Sequence, residues 1–413
     1  MNIDNTLSAA LLVTHSLKRS TLILCCGYLI SALTITVLSA VHISKIDRDI
    51  ENGGIEIQLA GTNADRNEVV LMETSNTLAT AWRIVDSTSI SSEKSARLHA
   101  NIDQKTPSGF FRITHMIDVF RTPEDRFADQ VDFPFPIKHF YPSLTKIRLG
   151  YIDEGEGKPI VILGGEIVGI YKHKEVIPAL LESGRRVIAI DLPGIGFSDK
   201  PEKTQGYRIP AIQEQLEELI FDHLSLENPV IAAHSWSTMV SSRIGVDHQE
   251  NVAGLVYLGG GFLDGSFVHS DLLSYLGSLR VSSGPGMIES VAEFALIRAI
   301  SQAEMRGMQA PYPTSNSTAG IIGLWENYPT SSNHPSAESQ RAYTERLLEF
   351  EKPVLIYASP YWNFLNVFKM FEIPGAGLHN HHYEYEEGGW YEMEYPNDVA
   401  EGLIWTESWP KIQ

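Results

Sequence analysis

From Arg121 to the C-terminus, short uninterrupted apolar runs alternate with amphipathic ones. "KIRLGYIDEG", "KPIVILGG", "RRVIAIDLPG", "PVIAAHS" and "VAGLVYLGGG" each hold a compact apolar stretch beside Gly, Pro or a polar residue. Runs of this kind predict strands buried on both faces. Between them, "KHKEVIPALLESG" predicts a helix stopped by Gly184. "IPAIQEQLEELIFDHLSL" predicts a second, with Leu216, Leu219 and Ile220 on one side, and "WSTMVSSRIGVDHQE" a third. Strand–helix alternation with continuous apolar strands indicates an α/β fold with a parallel sheet covered on both faces. Ligands of such sheets bind at the carboxyl ends of the strands. Gly165, Ser235 and Gly261 fall at such ends.

The pattern breaks once. "PVLIYAS" and "VFKMFEI" both read as strands, yet only "PYWNFLN" separates them. A parallel crossover takes a dozen residues or more. Either the second run pairs differently or a helix is absent.

Upstream the texture is different. Residues 44–119 are rich in Ser, Thr, Asn and charge, with period-two alternation in "IEIQLAG" and in part of "EVVLM". They read as a polar stem that admits short strands. Thr21–Ile43 carries no Asp, Glu, Lys or Arg over 23 residues, long enough to span a bilayer as one helix. It exceeds a signal-peptide core and lacks a good small-x-small cleavage site, so it reads as a retained single-pass anchor. Lys18 and Arg19 before it nearly balance Lys45 and Arg48 after it, with a slight preference for a cytosolic N-terminus. The expected organisation is an N-terminal tail (1–20), anchor (21–43), stem (44–119) and catalytic domain (120–413).

A formal net charge of -19 argues against nucleic-acid partners, which require Lys and Arg to replace counterions. The two cysteines, Cys25 and Cys26, are adjacent and offer neither a disulfide framework nor a thiolate metal site. His379, His381 and His382 precede Glu384, Glu386 and Glu387, but without a recognised ligand spacing. That stretch reads as a solvated loop, and neither metal nor cofactor is expected.

The chemistry centres on "IAAHSWSTM". Ser235 lies where a strand meets a helix, flanked at spacing two by the small residues Ala233 and Ser237. A tight, strained turn there presents a nucleophile, and only small neighbours fit beside it. The plainer alternative is a serine that caps the following helix. An acyl-transfer site also needs an oxyanion hole. The N–H of Trp236, next after the serine, and the N–H of Glu166, in the loop "ILGGEIV", are the expected donors. The Glu166 side chain could equally serve as a gate or a pocket wall.

"TPEDRFADQVDFPF", "GYIDEGEGKPIVILGGE", "RRVIAIDLPGIGFSDKP", "AAHSW" and "PGAGLH" follow one another as in the haloalkane dehalogenase branch of the α/β-hydrolases, which the chain resembles from about Arg121 onward. "MQAPYPTSNSTAGIIGLWENYP" is similar to that branch's helical cap, expected at about 263–350. The resemblance implies a doubly wound, mostly parallel sheet with the cap inserted after the "VYLGGG" strand, an apolar pocket between cap and sheet, and His379 as the general base. It also implies a Trp236 in the place of a halide-contacting tryptophan, although beside a serine a pocket wall is the better role. A competing alignment of "GGWYEMEYPNDVAEGL" puts Trp390 where the base belongs. The acid is displaced too: the family positions hold Tyr361, Asn363 or Gly261, and the nearest carboxylate is Asp264.

The branch usually carries Asp as nucleophile, and this chain has Ser235. Asp attacking an alkyl halide forms an ester that water cleaves, whereas Ser would form an ether that it does not. The expected activity is therefore hydrolysis of a small or medium apolar ester through a Ser235 acyl-enzyme, with His379 as base and Asp264 as its acid. A catalytically degenerate binding or scaffold protein is the alternative, and haloalkane dehalogenation a third reading.

Overall fold

The computed structural model describes residues 119–408, apart from 129–131, 144, 203–206, 262, 267–283, 359–371, 378–381 and 385–388; before residue 119 it describes only strands. The chain divides into two compact units, Met1–Arg121 and Thr122–Gln413.

In the first unit, Val41–Asp49, Gly54–Gly61 and Ser95–Asn101 form a three-stranded antiparallel sheet. The alternating "IEIQLAG" lies in its central strand. Glu68–Ser75, Arg83–Ile90 and Ser108–Met116 belong to a six-stranded sheet that also takes in Thr21–Gly27 and Ser31–Thr34. The structure therefore does not support the spanning helix expected over Thr21–Ile43; residues 28–30 and 35–40 of that run lie outside the described residues. Among the described residues no helix is long and apolar enough to cross a membrane.

The second unit is built on an eight-stranded sheet. Its strands are β1 (Lys138–Phe140), β2 (Leu149–Glu154), β3 (Pro159–Leu163), β4 (Arg186–Ile190), β5 (Val230–His234), β6 (Gly254–Leu258), β7 (Val354–Ala358) and β8 (His382–Glu384). They lie in the order β1-β2-β4-β3-β5-β6-β7-β8. β2 runs antiparallel to β1 and β4, and every pairing from β4 to β8 is parallel.

The uninterrupted apolar runs divide between two cores because successive strand side chains point to opposite faces. Val161, Ile188, Ile190, Ile231, Ala233, Leu255 and Tyr257 share one core with Leu216, Met239 and Ile244. Ile160, Ile162, Val187, Ala189, Val230, Ala232, Val256 and Leu258 share the other with Ile177, Leu180, Val399 and Leu403. The helices that close these faces are α1 (Val176–Glu182), α2 (Ile209–Glu217), which continues as a π-helical turn over Glu218–His223, and α3 (Ser237–Asp247). Between β6 and β7 come α4 (Pro285–Ala295), α5 (Gln302–Gln309), α6 (Ala319–Glu326) and α7 (Ala337–Leu347). After β8 come α8 (Tyr391–Glu394) and α9 (Pro396–Ser408).

The far edge of the sheet departs from expectation. β8 is His382–Glu384, paired with Ile356–Ala358, so this part of the His/Glu stretch is a strand and not a loop. The neighbour of β7 is thus not "VFKMFEI", most of which lies outside the described residues. The chain from 359 to 381 is long enough for a parallel crossover, which removes the conflict raised by the seven-residue spacer.

Candidate active site

Ser235 follows the last residue of β5 and precedes α3, and its backbone is left-handed, with φ 52°. A non-glycine residue there is strained and persists only where its surroundings impose it. Neighbouring residues do so. The hydroxyl of Ser237 accepts from the His234 N–H (3.0 Å) and donates to the His234 carbonyl (2.8 Å). Gly260, itself at φ 85°, packs against the elbow so closely that a Cβ on it would fall 2.7 Å from Ser235 Cα. Ser235 does not cap the helix with its side chain; its hydroxyl turns to Glu166 instead.

That contact defines the site. The Ser235 hydroxyl donates to Oε1 of Glu166 at 2.6 Å, and the Trp236 backbone N–H donates to Oε2 at 3.0 Å. Tyr328, which follows α6, brings its Oη within 3.4 Å of both the Ser235 hydroxyl and Glu166 Oε1. The Trp236 amide was expected to face an oxyanion; here it faces the Glu166 carboxylate. The Trp236 ring is fully buried, and its indole N–H has no hydrogen-bond partner among the described residues.

The loop carrying Glu166 is held from two sides. Ile167 adopts φ 83°, and its carbonyl accepts from the Tyr312 hydroxyl, which in turn accepts from the Gly196 N–H at 3.1 Å. On the other side lies Gly165, where a Cβ would come within 2.7 Å of His234 Nδ1 and 2.8 Å of Lys172 Nζ.

Behind the elbow sits a group of buried ionisable side chains. Lys172 Nζ lies 2.6 Å from His234 Nδ1 and 3.2 Å from Glu392 Oε1, with the Lys172 and Glu392 side chains both fully buried. His234 Nε2 lies 2.9 Å from the Gly389 carbonyl. That carbonyl can only accept, so Nε2 carries the proton and Nδ1 accepts from the lysine. Burial, and then the charge of Lys172, lower the His234 pKa to about 3. Burial likewise lowers His173, 4.0 Å from Glu392, to about 3, and pushes Lys172 below its ordinary value. Both imidazoles are thus neutral at pH 7. Sequence reasoning missed this group. "AAHSW" contained His234, but nothing in the sequence signalled its tie to Lys172 and the segment Gly389–Glu392.

The other expected residues fare unequally. Asp264 is buried, and its Oδ1 accepts from the Ser266 N–H at 2.8 Å in a local turn, while its carbonyl accepts from Arg341. His379 lies outside the described residues, as do Tyr361 and Asn363. Trp390 precedes α8 and is buried, with Lys172 Nζ 5.8 Å from its ring centroid. The competing alignment therefore concerns a segment that closes over the strand end next to Ser235. No group of His, Cys, Asp or Glu among the described residues is arranged to hold a metal ion.

Residues 158–359 match the family model described as "alpha/beta hydrolase fold". A haloalkane dehalogenase of Mycolicibacterium paratuberculosis is 31% identical over 249 residues, covering 57% of this chain and 80% of that protein. Haloalkane dehalogenase 1 of Mycobacterium tuberculosis is 30% identical over 276 residues, covering 64% and 91%. Among solved structures, the tetrameric haloalkane dehalogenase DpaA from Paraglaciecola agarilytica NO2 superimposes with a TM-score of 0.63 at 24% identity, over 72% of this chain and all of that one. That last likeness is one of fold.

Proposed function

The chain belongs to the haloalkane dehalogenase-like branch of the α/β-hydrolases, and from that premise we propose that it is a hydrolase of small or medium apolar esters acting through Ser235. One observation carries the reading: Ser235 sits in a strained strand-to-helix turn, with its hydroxyl and the Trp236 N–H converging on one point, held here by the Glu166 carboxylate. In the step proposed, Oγ bonds to the ester carbonyl carbon and its proton passes to His379, the base expected from the sequence. The oxygen that gains charge takes the N–H of Trp236 and that of Glu166. The alcohol departs, and water cleaves the acyl-enzyme to release a carboxylic acid. A serine at this position does not support alkyl-halide chemistry, because the ether it would form is not cleaved by an activated water.

A fluorophosphonate probe should label the protein and fail on Ser235→Ala, and His379→Ala should abolish turnover of p-nitrophenyl esters while leaving the fold intact. Labelling that persists in Ser235→Ala removes the reading. Halide release from a haloalkane panel would restore the chemistry named in the relatives.

A second reading is favoured by a different observation: the Trp236 amide, needed for the oxyanion, is occupied by Glu166. A binding protein without turnover fits that arrangement. It fails if purified protein hydrolyses esters in a manner dependent on His379. Membrane attachment through Thr21–Ile43 rests on composition alone, and extraction of the full chain from membranes by alkaline carbonate would exclude it.

A further inference from the structure

We propose that the Glu166 side chain is an internal stand-in for the carboxylic product, closing the acyl site until it swings out, and that the vacated site binds a small monocarboxylate. The inference rests on the reading of Ser235 as an acyl nucleophile. A carboxylic acid leaving a serine hydrolase keeps one oxygen on the oxyanion donors and the other beside the nucleophile. Glu166 reproduces both contacts with a single group: Oε2 on the Trp236 N–H at 3.0 Å and Oε1 on the Ser235 hydroxyl at 2.6 Å.

The surroundings favour an anion at this point. The Trp236 N–H opens the eleven-residue helix α3, whose N-terminal end carries partial positive charge. The Lys172 ammonium lies close behind Gly165, and its attraction to Glu166 is among the charges acting on it. Tyr328 stands at 3.4 Å from the same carboxylate oxygen.

In this position Glu166 holds the Ser235 hydroxyl only at the expense of the oxyanion donor. While Oε2 holds the Trp236 N–H, an oxyanion finds that donor taken. Substrate must displace the side chain, so its apparent affinity is reduced by the fraction of molecules in which Glu166 has left.

The test is titration of the full chain with sodium butyrate by calorimetry, using Glu166→Ala and Glu166→Ser against the unaltered protein and Glu166→Gln. The glutamine keeps the shape and one acceptor for Trp236, and so should stay closed. The alanine and serine variants should bind butyrate on the order of ten- to a hundredfold more tightly than the unaltered protein, whose two charge-assisted hydrogen bonds compete with the ligand, and more tightly than Glu166→Gln, whose neutral amide still fills the site. Fluorophosphonate labelling of Ser235 should quicken in the same two variants. If neither variant, each shown folded by its melting curve, gains affinity for butyrate, the proposal is overturned, even where the unaltered protein cleaves esters. Loss of labelling in both variants would make Glu166 the base and overturn it as well. Tight butyrate binding without any ester turnover keeps the carboxylate site and rejects acyl transfer.

Discussion

Lys172 donates to Nδ1 of His234 at 2.6 Å, directly behind the residue that presents the serine. The lysine is held in turn by Glu392, so three segments far apart in the chain meet at one buried charge. Removing one member of such a group leaves the others uncompensated, which costs about 3–5 kcal/mol. Lys172→Met should lower the urea midpoint accordingly. Lys172→Met combined with Glu392→Leu should recover part of that loss, since paired apolar replacements leave no orphan charge. Strict additivity of the two single effects would show that the pair does not interact.

The neutral, buried histidines give the protein a sign of pH dependence. Below its ordinary value near 6.5 the imidazole of His173 takes up a proton when the chain unfolds. In the folded protein it does so only near pH 3, because burial disfavours the charge. The unfolded state therefore binds more protons between about pH 6.5 and 3, and stability falls as pH falls through that window. Asp191, pushed up to about 7 by burial, acts in the opposite sense between roughly pH 4 and 7. The contribution of His173 is best read as a difference. His173→Leu should remove about one proton from the uptake on unfolding, or about 1.4 kcal/mol per pH unit at most. An unchanged slope between pH 6 and 4 would contradict the assignment.

Gly260 leaves no room beside the elbow. In Gly260→Ala the left-handed backbone alone costs about 1–2 kcal/mol, and the new methyl overlaps Ser235 Cα and its carbonyl. The variant should melt at lower temperature and lose fluorophosphonate labelling. Full labelling would mean that the turn tolerates a shift and is not held in place by this packing.

Tyr312 ties the loop of Glu166 to the loop of Gly196 through one hydroxyl. Tyr312→Phe leaves a buried carbonyl and a buried N–H without that partner, at about 1–3 kcal/mol. Hydrogen exchange at Gly196 should accelerate in the variant. Protection equal to that of the unaltered protein would show the hydroxyl to be dispensable.

The α/β architecture was legible because its strands and helices are written locally. The apolar runs of β3, β4, β5 and β6 are bounded by turn residues, and burial on both faces keeps them continuous. The elbow was legible for the same reason: Ala233, Ser235 and Ser237 lie within five residues. The first unit was harder, since short alternating strands in polar sequence resemble a spacer, and an uncharged run reads equally as helix or strand. The edge strand β8 was missed because its residues are charged and aromatic, while "VFKMFEI" nearby carries the stronger strand pattern.

The sequence by itself determined the family, the order of the elements from β2 to β6, and the residue types Ser235 and Glu166 at the ends of two parallel strands. Only the tertiary structure decided what those residues do to one another. Residue identity does not say whether Glu166 offers its N–H to an oxyanion or its carboxylate to Ser235 and Trp236. That depends on a loop conformation set by Ile167, Tyr312 and Gly165. The Lys172–His234–Glu392 group depends likewise on which helix end closes over β5. Such contacts join positions distant in the chain, and their energy exists only once the sheet has brought them together.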